Sequence, residues 1–261
     1  MSLELVQVDA FSRQLFGGNP AAVIVVDDWP DNGLMQNIAM ENQLSETVFV
    51  KQEDAGWGIR WFTPDIEVDL CGHATLAAAY VLFQDARVSG DMIHFTSQSG
   101  PLSVQREADR LYLDFPSRPG TPLKALEGFA NAIGQEVLAG FQSRDTLLIL
   151  ESQEQVEDCK PDMRALSLLD TFAVIISAPG RDCDFVSRFF APGAGIDEDP
   201  VTGSAHCTLT PYWAERLNRT SLRARQLSRR GGELFCEYLG ERVRIGGYCK
   251  EYMRGRIALP D

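Results

Sequence analysis

Glu46 lies at the mouth of an apolar strand, in the run Leu44-Ser45-Glu46-Thr47-Val48-Phe49. A carboxylate held between hydrophobic neighbours is partly desolvated, which raises its pKa toward neutrality and suits it to general acid–base work. The plainer alternative is a surface glutamate at a strand start. His73 follows a glycine in Asp69-Leu70-Cys71-Gly72-His73-Ala74-Thr75, where a helical segment begins. The positive end of a helix dipole favours neutral imidazole there, able to donate one hydrogen bond and accept another. Cys71 stands just before the same helix start, so its thiol is expected to have a lowered pKa and to be a candidate nucleophile or proton carrier. Asp199 and Ser204 belong to Asp199-Pro200-Val201-Thr202-Gly203-Ser204-Ala205. Asp199 could orient a substrate hydroxyl or amine and Ser204 could donate to a carboxylate; equally, Asp199-Pro200 reads as a turn and Ser204 as a helix cap.

These two glycine motifs are copies of one pattern. Trp61-Phe62-Thr63-Pro64 leads through Asp69-Leu70 to Cys71-Gly72-His73-Ala74, and Phe189-Phe190-Ala191-Pro192 leads through Asp199-Pro200 to Thr202-Gly203-Ser204-Ala205. In each, an aromatic strand meets a proline, a loop carries carboxylates, and a glycine opens a helix. A glycine at that position lets a ligand approach the free N–H groups of the first turn, which suits an anion. The duplication therefore predicts two similar lobes with a small-carboxylate cleft between them.

The elements that must hold these residues are legible in outline. Leu3 to Val8, Ala21 to Val26, Thr47 to Val50, Gly58 to Phe62, Ile93 to Ser97, Leu102 to Arg106 and Leu111 to Phe115 read as strands. Gly33 to Asn42 and the alanine-rich Gly72 to Phe83 read as helices, the latter central. The proline-rich segment 116–122 marks a boundary, giving lobes over 1–117 and 118–261, with the last strands able to cross back. In the second lobe Leu123 to Ile133 and Gly203 to Leu217 read as helical. Thr146 to Leu150, Phe172 to Ser177, Phe185 to Phe190, Leu222 to Ser228, Glu233 to Tyr238 and Arg242 to Ile245 read as strands. A doubly wound fold would require regular βαβ alternation, which is missing.

With 44% hydrophobic and 23% charged residues, the 261-residue chain has the balance of a soluble globular protein. A formal net charge of -13 repels nucleic acid and anionic membranes, so neither is expected as a partner. The N-terminal stretch alternates like a strand and lacks the pattern of a signal peptide, so a cytoplasmic location is expected. The six cysteines are scattered without metal-ligand spacing, which points to free thiols and no metal site. No dinucleotide or phosphate-loop fingerprint is present.

Taken together, Gly18-Asn19-Pro20-Ala21-Ala22-Val23, Leu44 to Phe49, Asp69 to Thr75 and Asp199 to Ala205 resemble the PhzF-type phenazine-biosynthesis family. The resemblance runs to the closing Val243-Arg244-Ile245-Gly246-Gly247. It implies an α+β, diaminopimelate-epimerase-like fold: two pseudo-symmetric lobes, each a mixed, mostly antiparallel β-barrel around a central helix. It implies a homodimer acting without a cofactor. In phenazine-pathway members a glutamate shifts a proton within a dihydro-hydroxyanthranilate ring, and the matching residue is Glu46. His73 and Asp199 fall on its other catalytic positions, and Asn19, Gly72, Gly203 and Ser204 on substrate-binding ones.

Epimerases and proline racemases of this fold use two cysteines, one on each face of the substrate. Here the pair is Cys71 and Thr202, and threonine cannot serve as that base at neutral pH. The expectation is an isomerase that moves a proton on a small, unsaturated, cyclic carboxylic acid through Glu46. An epimerase working through Cys71 and a carboxylate-binding protein without activity are the alternatives.

Overall fold

The computed structural model describes residues 2–54 and 56–260. The chain divides into two compact units, one formed by Met1–Asp114 and Gly246–Asp261 and the other by Phe115–Ile245. Both are mixed α/β structures dominated by sheet.

The first unit contains strands β1 (Ser2–Ala10), β2 (Asn19–Val26), β3 (Glu46–Glu53), β4 (Gly56–Phe62), β5 (Glu67–Val68), β6 (Met92–Ser97), β7 (Gly100–Glu107) and β8 (Arg110–Pro116), with helices α1 (Asn32–Asn42) and α2 (Gly72–Gln84). The second contains β9 (Thr121–Leu123), α3 (Glu127–Ile133), β10 (Ala139–Gln142), β11 (Thr146–Ile149), α4 (Gln153–Asp158), α5 (Met163–Ser167), β12 (Val174–Pro179), β13 (Phe185–Phe190), α6 (His206–Leu217), β14 (Ser221–Gln226), β15 (Gly232–Tyr238) and β16 (Arg242–Gly247). The final strand, β17 (Cys249–Ala258), pairs antiparallel with β1 from Ser2↔Ala258 to Ala10↔Cys249. That pairing places β17 with the first unit.

Side-chain alternation decides which residues of the first unit meet which helix. Strands β2 and β3 run parallel, in register from Ala21↔Glu46 to Val26↔Lys51, so both start at the same edge. Ala22, Ile24, Val26 and Phe49 pack with Met35, Ile38 and Ala39 of α1, and Thr47 accepts a 2.9 Å hydrogen bond from Asn42 Nδ2. Because successive strand residues face opposite ways, Glu46 and Val48 point to the other side, toward α2. Helix α2 is buried from His73 through Ala79, with small side chains that admit close packing against β1, β2 and β3. Gly18 turns the chain into β2 with φ +67°, and a Cβ there would sit 2.1 Å from the Ala10 carbonyl oxygen. Only glycine fits, and it fixes the entry of Asn19.

The second unit repeats the layering. Leu148, Val174, Ile176, Val186 and Phe190 pack with Phe129, Ile133, Val156 and Leu166 of α3 to α5. On the opposite phase, Ser177 accepts a 2.9 Å bond from Trp213 Nε1 of α6, and Phe185 stacks on the same indole at 5.6 Å. Pro211 inside α6 cannot donate to the Cys207 carbonyl. That oxygen accepts instead from the Arg118 N–H at 2.9 Å, so the group stays satisfied.

Two predicted helices start later than expected. Residues 121–123 form β9, paired with β10 through Gly140↔Leu123, and α3 begins at Glu127. Residues 203–205 form a tight turn with i to i−3 bonds: His206 N–H to Gly203 O at 3.0 Å, then Cys207 N–H to Ser204 O and Thr208 N–H to Ala205 O, each at 3.1 Å. Helix α6 therefore starts at His206, not Gly203. The six cysteines are free thiols. Among the described residues, no helix is long and apolar enough to cross a membrane.

Candidate active site

In the first unit, the edge where β2 and β3 begin meets the start of α2. His73 Nε2 lies 2.9 Å from Glu46 Oε2, with side chains 7% and 15% exposed. Both atoms are buried and lack an in-line hydrogen bond among the described residues. At that distance the two side chains pair, and the pairing favours the protonated imidazole. His73 Nδ1 contacts Cys71 Sγ at 3.4 Å, so the imidazole is held between a thiol and a carboxylate. Ser45, next to Glu46, donates to the buried Asn19 Oδ1 at 3.1 Å. Asn19, Glu46, Gly72 and His73 therefore lie at one edge of the first unit.

The charge state of His73 differs from expectation. Burial, the largest influence, disfavours the imidazolium, but the negative charges of Cys71 and Glu46 outweigh it and hold the pKa well above the ordinary histidine range. Cys71 contributes that charge only as a thiolate. Burial, reinforced by the Glu46 charge, pushes the Cys71 thiol up to about 11. At neutral pH Cys71 is therefore a neutral thiol, and the other acidic group facing His73 is Glu46. The helix-dipole argument for a neutral His73 and an acidic Cys71 fails because it omitted a carboxylate from another strand and the burial of both groups.

Helix α2 starts at Gly72, with Cys71 as its extended N-cap residue. The Cys71 carbonyl accepts from the Thr75 N–H at 3.1 Å and from Thr75 Oγ1 at 2.6 Å. This leaves first-turn N–H groups of the helix to an anion. Glu46, Cys71 and His73 also present ligand atoms within 4.8 Å of one another, a set able to hold a metal ion.

The second unit builds its motif differently. Thr202 Oγ1 donates to Asp199 Oδ2, and Ser204 is half-buried in the turn before α6. Because the His206 N–H goes to Gly203, the Thr202 carbonyl is bonded by the His206 side chain instead, with Nδ1 at 2.9 Å. A carbonyl only accepts, so Nδ1 carries the hydrogen. Burial lowers the pKa of His206 to about 4, despite that bond. The depressed value means that stability is full above the unfolded pKa near 6.5 and is lost as pH falls through about 4. Wild type should lose roughly 1.4 kcal/mol per pH unit across that window, and His206→Asn should flatten the profile in denaturant titrations at each pH.

Sequence reasoning missed Gln226. Its strand reads Ser221-Leu222-Arg223-Ala224-Arg225-Gln226, with alternate positions buried. A glutamine in the buried phase of Leu222 and Ala224 was the available signal.

Comparison with known proteins points in one direction. Residues 8–255 match the family model described as phenazine biosynthesis-like protein. A Pseudomonas aeruginosa protein named an uncharacterized isomerase is 53% identical over 260 residues, covering 99% of this chain and 100% of that one. A second isomerase of the same name and organism is 44% identical over 259 residues, covering 99% and 100%. The crystal structure of a PhzF-family phenazine biosynthesis protein from Enterococcus faecalis superposes with a TM-score of 0.98 at 47% identity, covering 99% of this chain and 100% of that one. A hydroxyproline epimerase from Agrobacterium vitis shares the fold at a TM-score of 0.63 and 11% identity, covering 100% and 93%.

Proposed function

Since the chain belongs to the phenazine biosynthesis-like family and is an isomerase, we propose that it moves a proton on a small, unsaturated, cyclic carboxylic acid, with Glu46 as the acid–base group. The observation that carries this reading is the Glu46 oxygen. It is buried and lies 2.9 Å from the His73 imidazole, at the edge where the N–H groups of α2 begin. A base in that state can accept a proton from carbon.

The step balances without a cofactor. Glu46 takes a proton from an sp³ carbon next to the double bond, and the electron pair delocalises toward the substrate carboxyl. Glu46 then returns the proton to the far end of the conjugated system, on the same face, and the double bond has moved. Backbone N–H groups at Gly72 and His73 bind the substrate carboxylate, which gains charge in the transition state. The imidazolium of His73 stabilises Glu46 as the carboxylate. Asn19 shapes the edge beside Glu46. From the second unit the reading takes Asp199, Gly203 and Ser204 toward substrate, supported by the motif repeat. A mostly antiparallel barrel around α2 in one unit and α6 in the other, and assembly as a homodimer, belong to the same proposal.

Cys71 has no chemical part in this scheme, because a thiol whose pKa is about 11 is the wrong base at neutral pH. Cys71→Ala should keep turnover within about tenfold of wild type. The deciding experiment is deuterium incorporation in deuterated water on a panel of cyclic and linear unsaturated acids, comparing wild type, Glu46→Gln and Cys71→Ala. Exchange that survives Glu46→Gln and vanishes in Cys71→Ala would overturn the assignment in favour of a cysteine epimerase. Binding with no exchange on any acid would leave a carboxylate-binding protein.

A further inference from the structure

Thr202 occupies the place in the second motif that Cys71 occupies in the first. Its hydroxyl is committed on both sides: it accepts from Gln226 Nε2 at 3.3 Å and donates to Asp199 Oδ2. Gln226 is 1% exposed. The same amide donates to the Asp199 carbonyl at 2.8 Å and accepts the Thr202 N–H at 2.9 Å. His206 holds the Thr202 carbonyl at 2.9 Å.

We infer that Thr202 and Gln226 are positioning residues that fix the Asp199 carboxylate. The bonds from Gln226 to the two backbone groups suffice to clamp the loop. The hydroxyl bridge reaches the carboxylate itself and restrains the side-chain torsion of Asp199. Since the Thr202 oxygen already receives a hydrogen from Gln226, its own hydrogen is directed at Asp199, and a donor chain ending on a carboxylate is polarised along its length. The first motif uses the same position alike, with Cys71 Sγ against His73 Nδ1. The residue before each glycine thus orients an ionisable neighbour in its own unit. Threonine here is suited to that task and needs no basicity.

The catalytic weight of this inference rests on the proposed role of Asp199, so the test has two arms. In ligand-free crystals at room temperature, Thr202→Val and Gln226→Met should spread the Asp199 carboxylate over more than one rotamer, whereas Thr202→Ser should keep one. A single Asp199 rotamer in Thr202→Val would overturn the inference. So would a displaced 199–202 backbone in Thr202→Val, which would make the hydroxyl part of the clamp. In the kinetic arm, on any panel acid that wild type exchanges, Thr202→Val should lower kcat on the order of 10²-fold with KM changed little, and Thr202→Ser should restore it. Unchanged kcat in Thr202→Val also counts against it. If wild type exchanges no acid, the isomerase reading fails while the rotamers still decide the positioning.

Discussion

Glu46→Gln should lower isomerisation and solvent exchange by roughly 10² to 10⁴-fold, the usual worth of a positioned acid–base group. The substitution keeps the shape of the side chain and removes its ability to take a proton. It should not unfold the protein. With the carboxylate gone, His73 loses one of the charges that favour its protonated form, and the imidazole can shed its proton without leaving a stranded charge. Binding of unreactive carboxylates should persist within a few-fold, because the α2 N–H groups are untouched. Titration calorimetry and exchange measured on one preparation separate the two effects. Full activity in this variant would sink the Glu46 assignment.

The reverse truncation should be far more damaging to stability. His73→Asn leaves the Glu46 carboxylate at the same buried edge with no counter-charge, which typically costs about 3–5 kcal/mol. For a unit of this size that corresponds to a Tm lowered by roughly 10–20 °C. The double variant Glu46→Gln/His73→Asn should recover much of the loss, since the pair is replaced by two neutral groups. The pH dependence carries a distinct sign. The folded pKa of His73 lies above its unfolded value near 6.5, so its contribution is complete below about pH 6.5 and is lost as pH rises through the folded value. Wild type should therefore weaken on the alkaline side of neutrality, and Glu46→Gln should not. A His73→Asn variant as stable as wild type at pH 7 would show that the pair carries no net charge interaction.

What could be read without coordinates was whatever lies in local pattern. The glycine-opened helix at 72 and the strand carrying Glu46 follow from alternation and helical spacing. Helices α4 and α5 span six and five residues, too short for a helical period to register. Strand β17 went unseen for a different reason. Its residues are mostly exposed and include Lys250, Glu251, Arg254 and Arg256, so only backbone pairing with β1 makes it a strand.

The site was legible as a set of residues and illegible as an electrostatic system. The motifs named Glu46, His73 and Asn19, yet the environment of His73 depends on a contact between β3 and α2 that no local rule describes. Cys71 reads as reactive from its neighbours and as inert once burial is known. Thr202 looked like a missing base, whereas its hydroxyl is bonded to Asp199 and Gln226. In each case the deciding quantity was a through-space environment.

The pairing of β1 with β17, from Ser2↔Ala258 to Ala10↔Cys249, has a consequence for biosynthesis. The strand that flanks β1 on one side is synthesised after the entire second unit. Until then β1 presents an open edge, a hazard for association with other chains. The stretch 115–245 is continuous and does not need β17, so maturation of the acid–base edge alone waits for that strand. A released chain truncated before residue 249 should accordingly keep a protease-resistant second unit while its first unit stays open.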